Sequence, residues 1–338
     1  MTKATLTQLF SAAGCRPFET PVLQPAEPFL NAAGEAFRDG LFVTQNSDGE
    51  TLCLRPDFTI PLCHAHKGGT ARYHYQGTVF RQPRKTGDKL QSERLQAGVE
   101  SFGETDKAMA DADMLRLALQ AVSSLSDIEP LVLIGDSAFF DALVTPVGLP
   151  KIWRERLTRA FGEPDLVNAL LQRMVSPSAA SEPRFANIDL AGLTQEVAQM
   201  LINQGLAGAG GRRAEDIARR FIKKRDDQAE IATEIAEICQ LFLALQCDAA
   251  RAGEVIGRFG EQNRIDFSAA IQVYDARIAA MGAVNADMVF AANFGRRLEY
   301  YTGFVFEIYD ARNRDDGPLA GGGRYDGLTE MLGGPALP

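Results

Sequence analysis

The stretch GRRLEYYTGFVFEIYD, residues 295–310, sets two adjacent tyrosines behind a pair of arginines and runs into a strict apolar/polar alternation. Alternation of period two places successive side chains on opposite faces of a strand, so 303–310 reads as a half-buried β-strand with a polar cluster at its start. Tyr300 and Tyr301 offer hydroxyls to a polar ring, and Arg296 offers a cation to an anionic group. The same residues also read as ordinary strand aromatics, and the segments around them decide between the two.

Working outward, the glycine cluster AGGGRYDGL (320–328) follows at once. It lacks the Lys-Ser/Thr ending of a P-loop and the spacing of a dinucleotide fingerprint, so by itself it signals only a tight turn or close backbone approach. Upstream, DMVFAANFG (287–295) alternates again. From about 150 to 285 the chain turns rich in Ala, Leu, Glu and Arg with helical periodicity, as in LTQEVAQMLINQGL and EIATEIAEICQLFLALQ. The expected organisation is an α+β core formed by 1–150 and 285–338, split by an all-helical insertion over 151–284.

The first hundred residues mix strands and turns. FETPVLQPAEPF (18–29) holds three prolines and predicts a strand end and extended connection rather than a helix. GLFVTQNSDGETLCLRPDF predicts two strands joined at NSDG, whose residues tolerate tight-turn dihedrals. ARYHYQGTVFR and ERLQAGVESFG predict a second hairpin around the loop QPRKTGDKLQS. DKAMADADMLRLALQAVSSL, 106–125, has helical spacing with acidic residues at its start, and LVLIGDS reads as a buried strand.

Within these elements several polar residues stand out. Asp57 and Thr59 of RPDFT flank a path fixed by Pro56 and could hold an ammonium group; equally, the segment reads as a surface turn capped by Asp57. Arg81 ends the first hairpin strand and could grip a carboxylate or phosphate, or be an unremarkable surface arginine. Gln96 and Glu100 lie an even number of residues apart, so both face one side of the sheet. Facing an interior, such a pair needs a partner; facing solvent, it means nothing.

Other features exclude function classes. The 338 residues carry a net charge of −9 with 35 basic residues, which gives no global attraction for nucleic acid. The basic run GGRRAEDIARRFIKKR reads either as a partner contact or as a solvated helix face, with Glu215 and Asp216 favouring the latter. Five cysteines without CxxC spacing argue against disulfides and zinc. His64 and His66, two apart, suit one strand face but have no completing ligand, so no metal or cofactor is expected. No GxSxG elbow is present. The amino terminus lacks a secretory pattern and no uncharged apolar run reaches about 18 residues, which predicts a cytoplasmic protein.

Taken in order, the motifs resemble the core of class II aminoacyl-tRNA synthetases, and specifically the histidyl branch. FETPVL resembles the first class II motif, which shapes a dimer interface. LRPDFT, VFR and LQAGVESFG resemble the histidyl LRPEGT, the second-motif FR and its QLGCEVFG return strand. RRLEYYTGFVFE resembles RGLDYYTGTVFE, and GGGRYDGL the connection after it. The resemblance covers roughly 15–135 and 287–332 and implies an antiparallel sheet core with a histidine pocket. Asp57, Thr59 and Gln96 would receive the ammonium group, Arg81 and Arg296 would lie near the carboxylate, and Glu100, Tyr300 and Tyr301 would surround the imidazole.

The departures are informative. Asp57 stands where the family has Glu, and Arg297 where it has Gly. Pro83 replaces the second-motif acid that positions adenine, Arg94 and Leu95 replace an aromatic and a histidine used around ATP, and the sequence stops at GGPALP before the third-motif arginine. Adenylation depends on electrostatic stabilisation of the reacting phosphate, so these losses would remove catalysis while leaving ground-state binding of histidine. No catalytic residue is therefore assigned. The pattern resembles the regulatory subunits of ATP phosphoribosyltransferase, paralogues of histidyl-tRNA synthetase in histidine biosynthesis. This implies a short-form catalytic phosphoribosyltransferase as partner, at least a homodimer, and L-histidine as feedback effector, with no nucleic acid or membrane. A truncated histidyl-tRNA synthetase and a scaffold with a dead pocket are the alternatives.

Overall fold

The computed structural model describes residues 3–32, 40–82, 92–146, 148–175, 188–203, 213–226, 233–295 and 301–337. In chain order the elements are α1 (Lys3–Ala12), β1 (Arg16–Pro17), β2 (Leu23–Pro25), α2 (Glu27–Ala32), β3 (Val43–Gln45), β4 (Thr51–Leu54), α3 (Thr59–Ala65), β5 (Ala71–Phe80), β6 (Glu93–Phe102), α4 (Lys107–Leu125) and β7 (Pro130–Asp136). The helices α5 (Ser137–Val144), α6 (Lys151–Ala160), α7 (Pro164–Val175), α8 (Leu190–Asn203), α9 (Ala214–Asp226) and α10 (Thr233–Leu243) follow. The chain returns through β8 (Gln246–Asp248), α11 (Ala252–Asn263), α12 (Ser268–Met281), β9 (Asp287–Ala291), β10 (Phe304–Asp310), β11 (Ala320–Gly323) and α13 (Leu328–Met331).

The strands form three sheets, ordered β1-β5-β6, β2-β4-β3 and β11-β10-β7-β9-β8. The predicted hairpins form: β3 pairs antiparallel with β4, and β5 with β6 through ten residue pairs from Ala71↔Phe102 to Phe80↔Glu93. At the NSDG turn, Asn46 Oδ1 accepts from the amides of Asp48 and Glu50, the local bond that makes Asn a turn former. Asp106 caps α4 by accepting from the Met109 amide at 3.1 Å. Antiparallel pairing dominates, but β1–β5 and β7–β9 are parallel; the long connection from β7 to β9 is what a parallel pair requires.

Three expectations are corrected. FETPVLQPAEPF does not stay extended to its end, because α2 begins at Glu27 with Pro28 in its first turn, where a missing amide costs no helical bond. His64 lies within α3 and His66 caps its end, so they share no strand face; His66 stacks on Phe102 at 4.3 Å and bonds the Gly69 carbonyl. The third concerns the helical segment.

By internal packing the chain divides into Met1–Ala142 with Ala244–Pro338, and Leu143–Leu243. Residues 244–284, expected within the insertion, thus belong with the sheets. The physical reason lies in α12. Its Tyr274 packs edge-on to Phe290 at 5.5 Å and donates to the Ala249 carbonyl at 3.0 Å. Arg116 of α4 donates to the carbonyls of Ala280 and Met281, capping the negative end of α12.

The helical unit buries apolar stripes at helical spacing: Trp153, Leu157 and Ala160 of α6, and Val167, Leu171 and Met174 of α7. Within it, Leu193 and Val197 of α8 pack with Ala218 of α9. The basic run on α9 is in part a solvated face, with exposed Arg219 held by Glu215 at 2.6 Å. Among the described residues no helix is long and apolar enough to cross a membrane.

Candidate functional site

The β5–β6 register decides which side chains meet. Tyr73 lies opposite Glu100, Tyr75 opposite Gly98 and Gly77 opposite Gln96, so these residues share one face. Two glycines on that face make room. A Cβ at Gly98 would collide with the Tyr75 phenol, and one at Gly77 would lie 2.9 Å from the Phe58 ring. Tyr75 therefore leans across Gly98, stacked on Phe58 at 4.4 Å, and its hydroxyl reaches Glu100 Oε1 at 3.3 Å.

RPDFT is not a surface turn: Arg55 through Thr59 are all buried. Arg55 anchors it, donating through Nε and Nη2 to the Thr78 carbonyl and through Nη1 to that of Thr20, with its guanidinium 3.9 Å from the Phe58 ring centre. Asp57 does cap the start of α3, since Oδ1 accepts from the Ile60 amide at 3.3 Å. Its Oδ2, however, is buried with no hydrogen-bond partner among the described residues, and so is Gln96 Oε1. Burial pushes the Asp57 carboxyl above its ordinary range, against the pull of the Arg81 charge and of the Ile60 and Thr59 amides. Arg81 is set by its Nε, which donates to the Pro56 carbonyl at 2.8 Å.

Glu100, 7% exposed, is the hub. Its Oε1 accepts from Thr59 Oγ1 at 2.7 Å and from Tyr75, and its Oε2 accepts from the Tyr325 hydroxyl. Burial raises its pKa to about 7; the Tyr325 and Thr59 donors oppose the shift, Asp57 adds to it and Tyr75 opposes it. Tyr325 comes from the glycine segment, where β11 runs beside β10 and side-chain-free Gly322 and Gly323 leave space for the Phe306 and Tyr301 rings, each 2.8 Å from where a Cβ would sit.

The outcome is a cavity of about 450 Å³ whose lining includes Asp57, Thr59, Arg81, Gln96, Glu100 and Tyr301. These six predicted residues are brought together from four separate chain segments. Arg296 and Tyr300 lie outside the described residues, as do Arg297 and Pro83. Tyr75, Arg324 and Tyr325 were missed, although they line the same cavity. For Tyr325 a signal existed, since it closely follows three glycines that permit close approach. Among the described residues no group of three or more His, Cys, Asp or Glu side chains could hold a metal ion. Chemically, the cavity offers carboxylates, an amide oxygen, hydroxyls and a cation at one place, a set suited to a small zwitterion with a polar side chain.

A sheet core of this kind with a polar cavity between its β6 and β11 segments defines a histidyl-type class II synthetase fold. The family described as Histidyl-tRNA synthetase matches residues 1–201 and 186–338. Among solved structures, an ATP phosphoribosyltransferase regulatory subunit/histidyl-tRNA synthetase from Bacillus halodurans aligns with TM-score 0.64 at 22% identity, covering 99% of this chain and 73% of that one. A histidyl-tRNA synthetase from Nostoc aligns with TM-score 0.63 at 15% identity, covering 99% and 66%. Curated relatives from Brucella ovis and Brucella melitensis, each called ATP phosphoribosyltransferase regulatory subunit, are 40% identical over 330 residues, 93% of this chain and 87% or 86% of theirs. The chain belongs to the family of ATP phosphoribosyltransferase regulatory subunits.

Proposed function

We propose that this chain is the non-catalytic regulatory subunit of ATP phosphoribosyltransferase, acting in the cytoplasm with the short-form catalytic subunit, and that L-histidine bound in the Glu100 cavity inhibits the first step of histidine biosynthesis. The family membership supports the partner. The observation that carries the ligand is the pair of buried unpartnered oxygens, Asp57 Oδ2 and Gln96 Oε1, lining one cavity with Arg81. Buried polar atoms without partners are costly, and a ligand ammonium would satisfy both.

The remaining groups fit the rest of histidine. Thr59 gives its proton to Glu100 and so keeps lone pairs for the ammonium group. Arg81 and Arg296 take the carboxylate. Ionised Glu100 offers about four acceptor sites. Three are used by Thr59, Tyr75 and Tyr325, which leaves one for an imidazole N–H, with Tyr300 and Tyr301 for the ring's other edge. The subunits pair as a homodimer, with no nucleic acid or membrane partner. Feedback further requires that histidine bind one state of the complex better than another.

Calorimetric titration of histidine, alone and with magnesium and ATP, tests this reading. Saturable binding in both runs is expected. Continuous heat with ATP would mean adenylation and restore a synthetase, and absence of histidine binding both to the chain and to its complex with the catalytic subunit would remove the effector.

A further inference from the structure

The residues that deliver Tyr325 to the cavity are clamped to α4 by charge. Arg324 donates to Asp111 Oδ1 through Nη2 at 2.8 Å and Nε at 3.1 Å, and to Asp326 Oδ1 through Nη1 at 2.9 Å. Lys107 holds the other Asp326 oxygen at 2.6 Å, and its carbonyl accepts from Arg324 at 3.2 Å. Asp111 is shared. Its Oδ2 accepts from Arg277 Nε at 2.6 Å, and Arg277 Nη1 continues to Asp136 Oδ2 at 2.6 Å.

Asp111, Asp136 and Arg277 are 6%, 4% and 3% exposed. Buried ion pairs of this kind add little stability that apolar packing could not supply, because desolvation offsets their attraction. What they impose is direction: an arginine fork held on two edges by carboxylates has little rotational freedom. One peptide bond joins Arg324 to Tyr325, whose hydroxyl donates to Glu100 Oε2.

We infer that Asp111 is a positioning residue for the cavity: by holding Arg324 between α4 and α12 it fixes where Tyr325 meets Glu100, and hence the geometry offered to the ligand. Asp111 acts through Arg324 and Tyr325 and needs no contact with histidine. This rests on the histidine reading above, so the test has one arm that uses the ligand and one that does not.

In the first arm, histidine is titrated into the full-length chain and into Asp111→Asn, Tyr325→Phe and the double variant. Asp111→Asn should weaken binding about tenfold, as one misplaced charge-assisted hydrogen bond would. In the Tyr325→Phe background the same change should cost less than about twofold, because the route is already cut. Losses that multiply independently, or an Asp111→Asn affinity equal to the wild type, overturn the inference. If Asp111→Asn does not fold, Arg324→Lys keeps the charge without the fork and carries the same expectations.

In the second arm, hydrogen exchange is followed without ligand. The Arg324 amide bonds the Phe304 carbonyl and the Asp326 amide bonds Thr302 Oγ1. Faster exchange at both in Asp111→Asn or Arg324→Lys is expected. Unchanged exchange overturns the clamp. Faster exchange in a chain that fails to bind histidine leaves the clamp standing and rejects the ligand alone.

Discussion

Thr59 Oγ1 lies 2.7 Å from Glu100 Oε1, joining the first residue of α3 to the far half of β6 across 41 positions of sequence. The bond places a donor on a carboxylate that burial strips of water, and Tyr75 and Tyr325 add two more. Even so, burial outweighs the donors and Glu100 titrates at about 7.

The sign of the resulting pH dependence is set by that shift. Above its ordinary value of 4.5 the unfolded chain has released the Glu100 proton, while the folded chain keeps it until about 7. Stability therefore falls as pH rises through this window, by an amount of the order of 3 kcal/mol, and is level above it. Asp57, also raised by burial, acts in the same sense. Urea unfolding at pH 5 and pH 8 should show a smaller loss for Glu100→Gln than for the wild type; equal losses would mean Glu100 is hydrated.

Asp57→Asn should separate stability from binding. The amide keeps the oxygen that accepts from the Ile60 amide and removes a charge whose second oxygen has no partner among the described residues. The ligand-free variant should gain about 1–2 kcal/mol at pH 8. Its affinity for histidine should drop at least about tenfold, since the ammonium group loses an ionised acceptor. Denaturant unfolding and calorimetry on the same preparation check both halves.

Gly98→Ala inserts one methyl group where the Tyr75 phenol crosses the strand. Tyr75 must leave Glu100 and its stacked position on Phe58, which should cost about 1–3 kcal/mol of stability. Histidine inhibition of the assembled complex, read as the ratio of rates without and with histidine, should be lost. An unchanged ratio would show that Tyr75 does not shape the site.

Arg277→Met removes the cation shared by Asp111 and Asp136. Asp111 retains Arg324, whereas Asp136 keeps only the Ala138 amide among its described partners, so the cost should be about 3–5 kcal/mol. Combining Arg277→Met with Asp136→Asn should recover part of it, because a neutral amide tolerates burial better than an unpaired carboxylate. Additive losses in denaturant unfolding would argue that the pair is not coupled.

The strand alternation in LQAGVESFG by itself set Gln96 and Glu100 on one face, NSDG set its turn, and Asp106 set the start of α4. These are local consequences of backbone period, turn chemistry and capping, and they need no knowledge of neighbours. The ordered motifs likewise placed Asp57, Thr59, Arg81 and Tyr301 at one site. The helical periodicity of α12, in contrast, reads the same as that of the helices of 143–243, so its place beside the sheets was not legible.

Partnership was decided only by tertiary structure. Nothing in AGGGRYDGL announces that Tyr325 donates to Glu100 across 225 residues, or that Asp111 is shared by Arg277 and Arg324, 166 and 213 residues away. Nor does RPDFT reveal that Asp57 is buried with an oxygen left over. Sequence determines which side chains a strand or helix presents together, because that depends on local dihedrals. Which of them lose water and whom they meet depends on long-range packing, and here that packing turned separate polar residues into one cavity.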